Sequence, residues 1–274
     1  MGMIAGFVSI QACASNPQPS AQSPVSQPPS QPAVEQPSVP QTIESEAQPV
    51  VEQSPQELIA LRQSLEKGDV GEIDTNAHLV IDRFPETPEA AEALRALADL
   101  SIRNKKYETA QMYAETAYAI NAENPDNGLL LARCLHALNR DNEAVKLLDD
   151  MIGKNSDKAE LFALKAAILL EYLDVERAMQ AAQKAHDLKP NDCGVGVVYA
   201  DALYASKSFS QAASAYESVR QQCSLTEESL QNLAKLYEVH TQNPQKACEL
   251  YKQLTAINPD NAYYKASRDY QCAL

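Results

Sequence analysis

The chain has 274 residues, with 16 prolines, 6 cysteines, no tryptophan and a formal net charge of -14. So acidic a balance argues against a nucleic-acid binder, which needs a clustered Lys/Arg footprint, and against electrostatic docking on an anionic leaflet. The charge is uneven. All 23 basic residues lie at Arg62 or later, and the first 56 residues carry only Glu35, Glu44, Glu46 and Glu52, which leaves 37 − 4 = 33 acids beside those bases. An acidic, well-solvated surface names no partner by itself.

Residues 1–12 are apolar, end in small residues and run straight into Cys13. The run is too short for a membrane span, which needs about 20 apolar residues. Ile10-Gln11-Ala12-Cys13 resembles a bacterial lipobox, in which cleavage exposes a cysteine that receives lipid. The resemblance implies lipidation at Cys13, and Ala14 in place of aspartate implies the outer membrane. No basic residue precedes the apolar run and the run is short for a signal peptide, two departures that a start codon assigned too late would explain. The alternative is an apolar leader with an incidental cysteine.

Residues 14–56 hold ten prolines among Gln, Ser, Val and Ala. Little here could bury apolar area, and proline favours extended polyproline II conformers. The expectation is a disordered tether, reaching on the order of 120 Å at ~3.1 Å per residue. No P-x-x-P segment has basic flanks, so a spacer is favoured over an SH3-type ligand.

From 57 to 90 the spacing predicts a degenerate helical repeat. Leu58, Leu61 and Leu65 keep helical period, Gly68-Asp69 marks a turn, and Ile73, Ala77, Val80 and Ile81 resume the period before Phe84-Pro85-Glu86-Thr87-Pro88 ends it. Then a ladder begins. Ala98, Ala132, Ala166, Ala200 and Ala234 stand 34 residues apart; Ala110, Ala144, Ala178 and Ala212 keep the same step, and Ala247 follows one residue late. This is the period of stacked helix-turn-helix units. The predicted repeats run about 91–124, 125–158, 159–192, 193–226 and 227–261, and residues 262–274 form a capping helix.

These residues resemble the tetratricopeptide repeat family, whose first helix carries L-A-x-x-Y and whose second carries A-x-x-x-F before a proline. The matching stretches are Leu97-Ala98, Leu131-Ala132 and Leu233-Ala234-Lys235-Leu236-Tyr237, then Ala212-x-x-x-Tyr216 and Ala247-x-x-x-Tyr251, with Pro190 and Pro259 as terminators. Lys165 and Tyr199 depart from the leucine. The resemblance implies an all-α fold, a right-handed solenoid. Physically, two helices packed about 8–10 Å apart leave room at their crossing only for a small side chain.

Catalytic chemistry is not legible. His78, His136, His186 and His240 fall in no metal-binding spacing, and no P-loop, C-x-x-C or G-x-S-x-G is present. Gly194-Val195-Gly196 lacks the preceding strand and third glycine of a dinucleotide loop. No enzyme activity, metal or cofactor is expected. In an oxidising compartment Cys193 could pair with Cys223, at one end of a single hairpin, and Cys248 with Cys272, through the cap helix. Cys134 would stay buried and free. The other reading leaves all five as small apolar residues.

In the resembled family the inner groove is built from positions 2, 5, 9, 12 and 13 of each first helix. Carried over, these give Arg95, Asp99, Ile102 and Arg103, then Leu129, Arg133 and His136, then Leu170 and Glu171, then Asp201 and Tyr204, then Gln231, Lys235 and Glu238. The groove is mixed, with a basic cluster at Arg95, Arg103 and Arg133. Asparagine is missing from these positions, which disfavours the co-chaperone type that grips a terminal carboxylate. An ordinary solvated face is the plain alternative. The expected function is a non-catalytic scaffold that holds proteins or peptides in the groove. Resemblance to bacterial envelope lipoproteins that assist pilus, outer-membrane barrel or cell-wall machinery implies a periplasmic, lipid-anchored protein. The alternative is a soluble intracellular adaptor.

Overall fold

The computed structural model describes residues 55–274. The leader, Cys13 and the proline-rich segment up to residue 54 lie outside the described residues. Those described are all helical apart from turns. They form α1 (Gln56–Lys67), α2 (Val70–Arg83), α3 (Pro88–Arg103), α4 (Tyr107–Ile120), α5 (Pro125–Ala137), α6 (Asp141–Lys154) and α7 (Ala159–Glu171). The series continues with α8 (Val175–Leu188), α9 (Cys193–Ala205), α10 (Phe209–Gln222), α11 (Glu227–Lys235), α12 (Pro244–Ile257) and α13 (Ala262–Gln271). Consecutive helices pack as antiparallel hairpins, and first helices also touch first helices of the next unit, α3 with α5, α5 with α7 and α7 with α9. The result is an α-solenoid.

Local chemistry sets the helix ends. Asp69, Thr87, Asn124, Asp174, Asp192, Thr226, Asn243 and Asn261 cap the helices they precede by accepting from free backbone N–H groups. Pro88, Pro125 and Pro244 stand at the first turn, where no N–H is needed. Pro88 therefore opens α3, ahead of residue 91 where the repeat was expected to begin. Within each hairpin the first helix ends on a left-handed residue: Lys105, Asn139, Leu173 and Lys207, with φ of 57 to 61°. The following N–H reaches five residues back, as in Lys106 N–H to the Ser101 carbonyl and Arg140 N–H to the Leu135 carbonyl, both 2.8 Å. This closes the helix as a Schellman turn. In the degenerate first hairpin Gly68 takes that role at φ 71°.

Both alanine ladders are fully buried. Ala166 clusters with Ala181 and Ala182 of α8 and with Ala202 of α9; Ala178 is buried outside that cluster. The bulkiest buried side chains are Tyr216 and Tyr251, so the core is fuller at the C-terminal end. The late step to Ala247 has a physical counterpart. Leu236–His240 is a π-helical turn continuing α11, with Thr241 N–H bonded to the Leu236 carbonyl at 2.9 Å. One extra residue is absorbed there, and the left-handed residue moves to Gln242.

Cys193 is bridged to Cys223 with a Cα–Cα distance of 6.3 Å, and Cys248 to Cys272 with one of 5.0 Å. Cys134 is free and buried, and burial pushes its thiol up to about 11, so it is inert at neutral pH.

Gly196 owes its identity to packing: a Cβ there would lie 2.6 Å from Cγ2 of Val219, a stiff branched side chain. Gly153, in α6, has open space around it. The same substitution should therefore act with opposite sign. Gly196→Ala should cost about 1 to 3 kcal/mol through overpacking, and Gly153→Ala should add about 0.5 kcal/mol through helix propensity. Denaturation midpoints check both, and a stabilised Gly196→Ala would refute the close approach.

Candidate peptide-binding groove

The expected groove residues come from equivalent turns of first helices, so successive units bring residues 34 apart into contact. Asp99 and Arg133 show this directly, at 2.9 Å. The basic cluster is thereby corrected. Arg133 is paired with Asp99, and Arg95 donates to Asn127 Oδ1 at 2.7 Å. Asn127 is buried and itself donates to the Ala117 and Asn121 carbonyls, both at 2.8 Å. Arg103 alone of the three is exposed with no ion pair among the described residues.

Ile102 and Leu129 are half-buried against the core of the first repeats, and Leu170 against the next cluster. Tyr204 meets Phe209 edge-on at 5.9 Å between ring centroids, and Phe209 stacks on His240 at 3.5 Å. Gln231 and Lys235 are half-buried, and no carboxylate within ion-pair distance of Lys235 is found among the described residues. Glu238 accepts from the Tyr251 hydroxyl at 2.6 Å and from Gln271 at 3.1 Å. Asp201 accepts from the Tyr216 hydroxyl. Burial pushes the Asp201 carboxyl up and the Tyr216 hydroxyl far above its ordinary range.

His136 sits between two carboxylates. Its Nδ1 lies 2.5 Å from Asp141 and its Nε2 3.4 Å from Glu171. Asp141, only 7% exposed, also accepts from the Tyr172 hydroxyl. This knot ties α5, the start of α6 and the end of α7. Asp141 and Tyr172 lie outside the groove positions, so the repeat register could not point to them. It could have found three others. Glu228 stands at position 2 of the last repeat, and the 35-residue step from Glu228 and Lys235 leads to Tyr263 and Tyr270 on α13. Those tyrosines are 45% and 63% exposed, and Tyr263 shares a hydrogen bond with Tyr251 at 3.1 Å. By the same register, Tyr263 and Tyr270 are the cap helix's equivalents of the expected groove positions.

A family profile described as Tetratricopeptide repeat matches residues 101–168. The chain folds as a tetratricopeptide-repeat solenoid. Among solved structures it is similar to PilF of Pseudomonas aeruginosa, at 18% identity and TM-score 0.66 over 80% of this chain and 96% of that one. It is also similar to PilW, described as a widely conserved type IV pilus biogenesis factor, at 14% identity and TM-score 0.65 over 77% and 96%. YrrB, described as having an unusual peptide-binding site, is similar at 17% identity and TM-score 0.50 over 70% and 97%. Among curated proteins, none matches the sequence. At such identities the likeness is one of fold. Among the described residues, no helix is long and apolar enough to cross a membrane and no group of three or more His, Cys, Asp or Glu could hold a metal.

The Asp141 knot yields a pH prediction. Burial pushes the carboxyl up, but hydrogen bonds from Tyr172 and His136 outweigh it and hold it below the ordinary aspartate range. A depressed carboxyl stabilises the fold above its unfolded value near ~3.9, and that contribution is lost as pH falls through the folded value. Tyr172→Phe should therefore lower Tm at pH 7, with the deficit narrowing as pH falls below about 4. A deficit independent of pH would mean that Tyr172 acts through packing alone.

Proposed function

We propose that this chain is a non-catalytic, lipid-anchored periplasmic scaffold that holds a peptide or protein segment in its groove while an envelope complex assembles. The observation that carries the reading is the cysteine pairing. Four of the five cysteines among the described residues are bridged, and such bonds persist in oxidising compartments and are rare in reducing ones. The fold likeness to PilF and PilW supports an envelope role, with pilus assembly first and barrel or cell-wall machinery beside it.

Cys13 follows an apolar run and precedes the proline-rich segment, the order of anchor and tether. A single acyl chain gives only weak, reversible attachment, so stable anchoring takes at least two. The acidic solenoid adds no attraction to an anionic leaflet. The anchor would carry the attachment alone.

Cys13→Ser, expressed behind a leader known to direct lipoprotein export, should move the protein from the membrane pellet to the soluble fraction and abolish palmitate labelling. The repeats should stay folded. A mutant that still pellets with the outer membrane and leaves only in detergent would overturn lipidation at Cys13. Free thiols at Cys193, Cys223, Cys248 and Cys272 in intact cells would overturn the periplasmic reading.

A further inference from the structure

The groove's fixed charges are sorted along its length. At position 2 of the first three regular repeats each acid meets a cation: Glu92 with Arg62 at 2.7 Å, Asp126 with Lys158 at 2.9 Å, and Glu160 with Lys189. Glu228, at the same position of the last repeat, is exposed and meets no cation among the described residues. Arg103, at the opposite end, is the mirror case. Arg95, Arg103 and Arg133 against Asp99 leave two positive charges over the first two repeats. Asp201, Glu228 and Glu238 against Lys235 leave two negative charges over the last two. Between the ends Leu129, Leu170 and Tyr204 are half-buried, and Glu171, exposed beside His136, is the one acid among these apolar side chains.

We propose that the groove takes an extended peptide segment that is acidic at one end, apolar in the middle and basic at the other. Its acidic end lies over Arg103 and its basic end over Glu228 and the tyrosines of α13. This deepens the groove reading above and rests on it. The occupant is argued from charge complementarity: a uniformly charged peptide meets a repelling end wherever it lies, whereas a bipolar one meets attraction at both. Length follows from geometry. Four steps between neighbouring first helices, at about 10 Å each, separate the units of Arg103 and Glu228, and an extended chain covers that in about 12 residues. Exposed tyrosines also suit a Lys or Arg side chain through their ring faces.

The test uses the whole chain and three fluorescein-labelled peptides of about 14 residues. All share an Ala/Leu/Ser middle; one has aspartates at one end and lysines at the other, one aspartates at both ends, one lysines at both. Anisotropy is read for the parent, Arg103→Glu, Glu228→Lys and Leu170→Arg, each confirmed as folded by circular dichroism. The bipolar peptide should bind tightest and lose about fivefold in each of the two charge variants, as exposed pairs do. The losses should shrink between about 20 mM and about 300 mM salt, as screening dictates. Arg103→Glu should weaken the acidic peptide and Glu228→Lys the basic one, each without weakening the other. If the bipolar peptide binds no tighter than the uniform ones, or ignores either charge variant, while Leu170→Arg still weakens all three, the polarity is wrong and the groove stands. No binding by any peptide up to about 1 mM, roughly the weakest affinity worth about 4 kcal/mol, would overturn both.

Discussion

Everything in this solenoid depends on how closely two helices can approach where they cross. Alanines of both ladders share one cluster in four of the five hairpins, Ala166 packs instead on Ala181 and Ala182, and each ladder alanine is fully buried. A larger side chain at any of them would push the pair apart. The displacement would pass on, because from α1 to α9 each first helix also leans on the first helix of the next unit. A chain built this way is held by contacts with nearest neighbours only, so a uniform crossing is what makes one uniform surface.

The departures from uniformity fall where the chain compensates for them. The π-helical turn at Leu236–His240 takes up the additional residue before Ala247, so α12 still seats its alanine, and Tyr251 fills the space beside it. Leu173 holds a left-handed conformation where glycine would be unstrained, and it is 81% exposed. The short α13 buries Tyr264, Ser267 and Gln271, and a bridge from Cys248 to Cys272 fixes its far end to α12. Asn258 and Tyr264 both bond Glu227, tying the near end to α11.

A groove assembled from equivalent turns has charges that see one another at 34-residue separations. Some of that charge is spent internally, as at Asp99 and Arg133, and this is how a rigid repeat tolerates polar groups on half-buried faces. What stays uncompensated is the residue whose equivalent in the neighbouring unit is not complementary. Arg103 has Ala137 in that place, and Glu228 has Gly194 on one side and Tyr263 on the other.

The sequence alone determined the architecture. A 34-residue alanine period with prolines and asparagines at fixed offsets is local and repeated, so each unit predicts the next, and even the register slip before Ala247 was legible as a number. The roles of individual groove residues were not legible in the same way. Position transfer placed Arg95, Arg103 and Arg133 together, but it is silent on which side chains find partners across units. Only the tertiary structure decided that Arg133 turns to Asp99, that Arg95 turns to the buried Asn127, and that His136 joins Asp141, Glu171 and Tyr172. The physical reason is that a repeat period encodes backbone packing, which every unit shares. A hydrogen bond or ion pair depends instead on the particular side chains that two neighbouring units happen to present, and on how deeply each is buried.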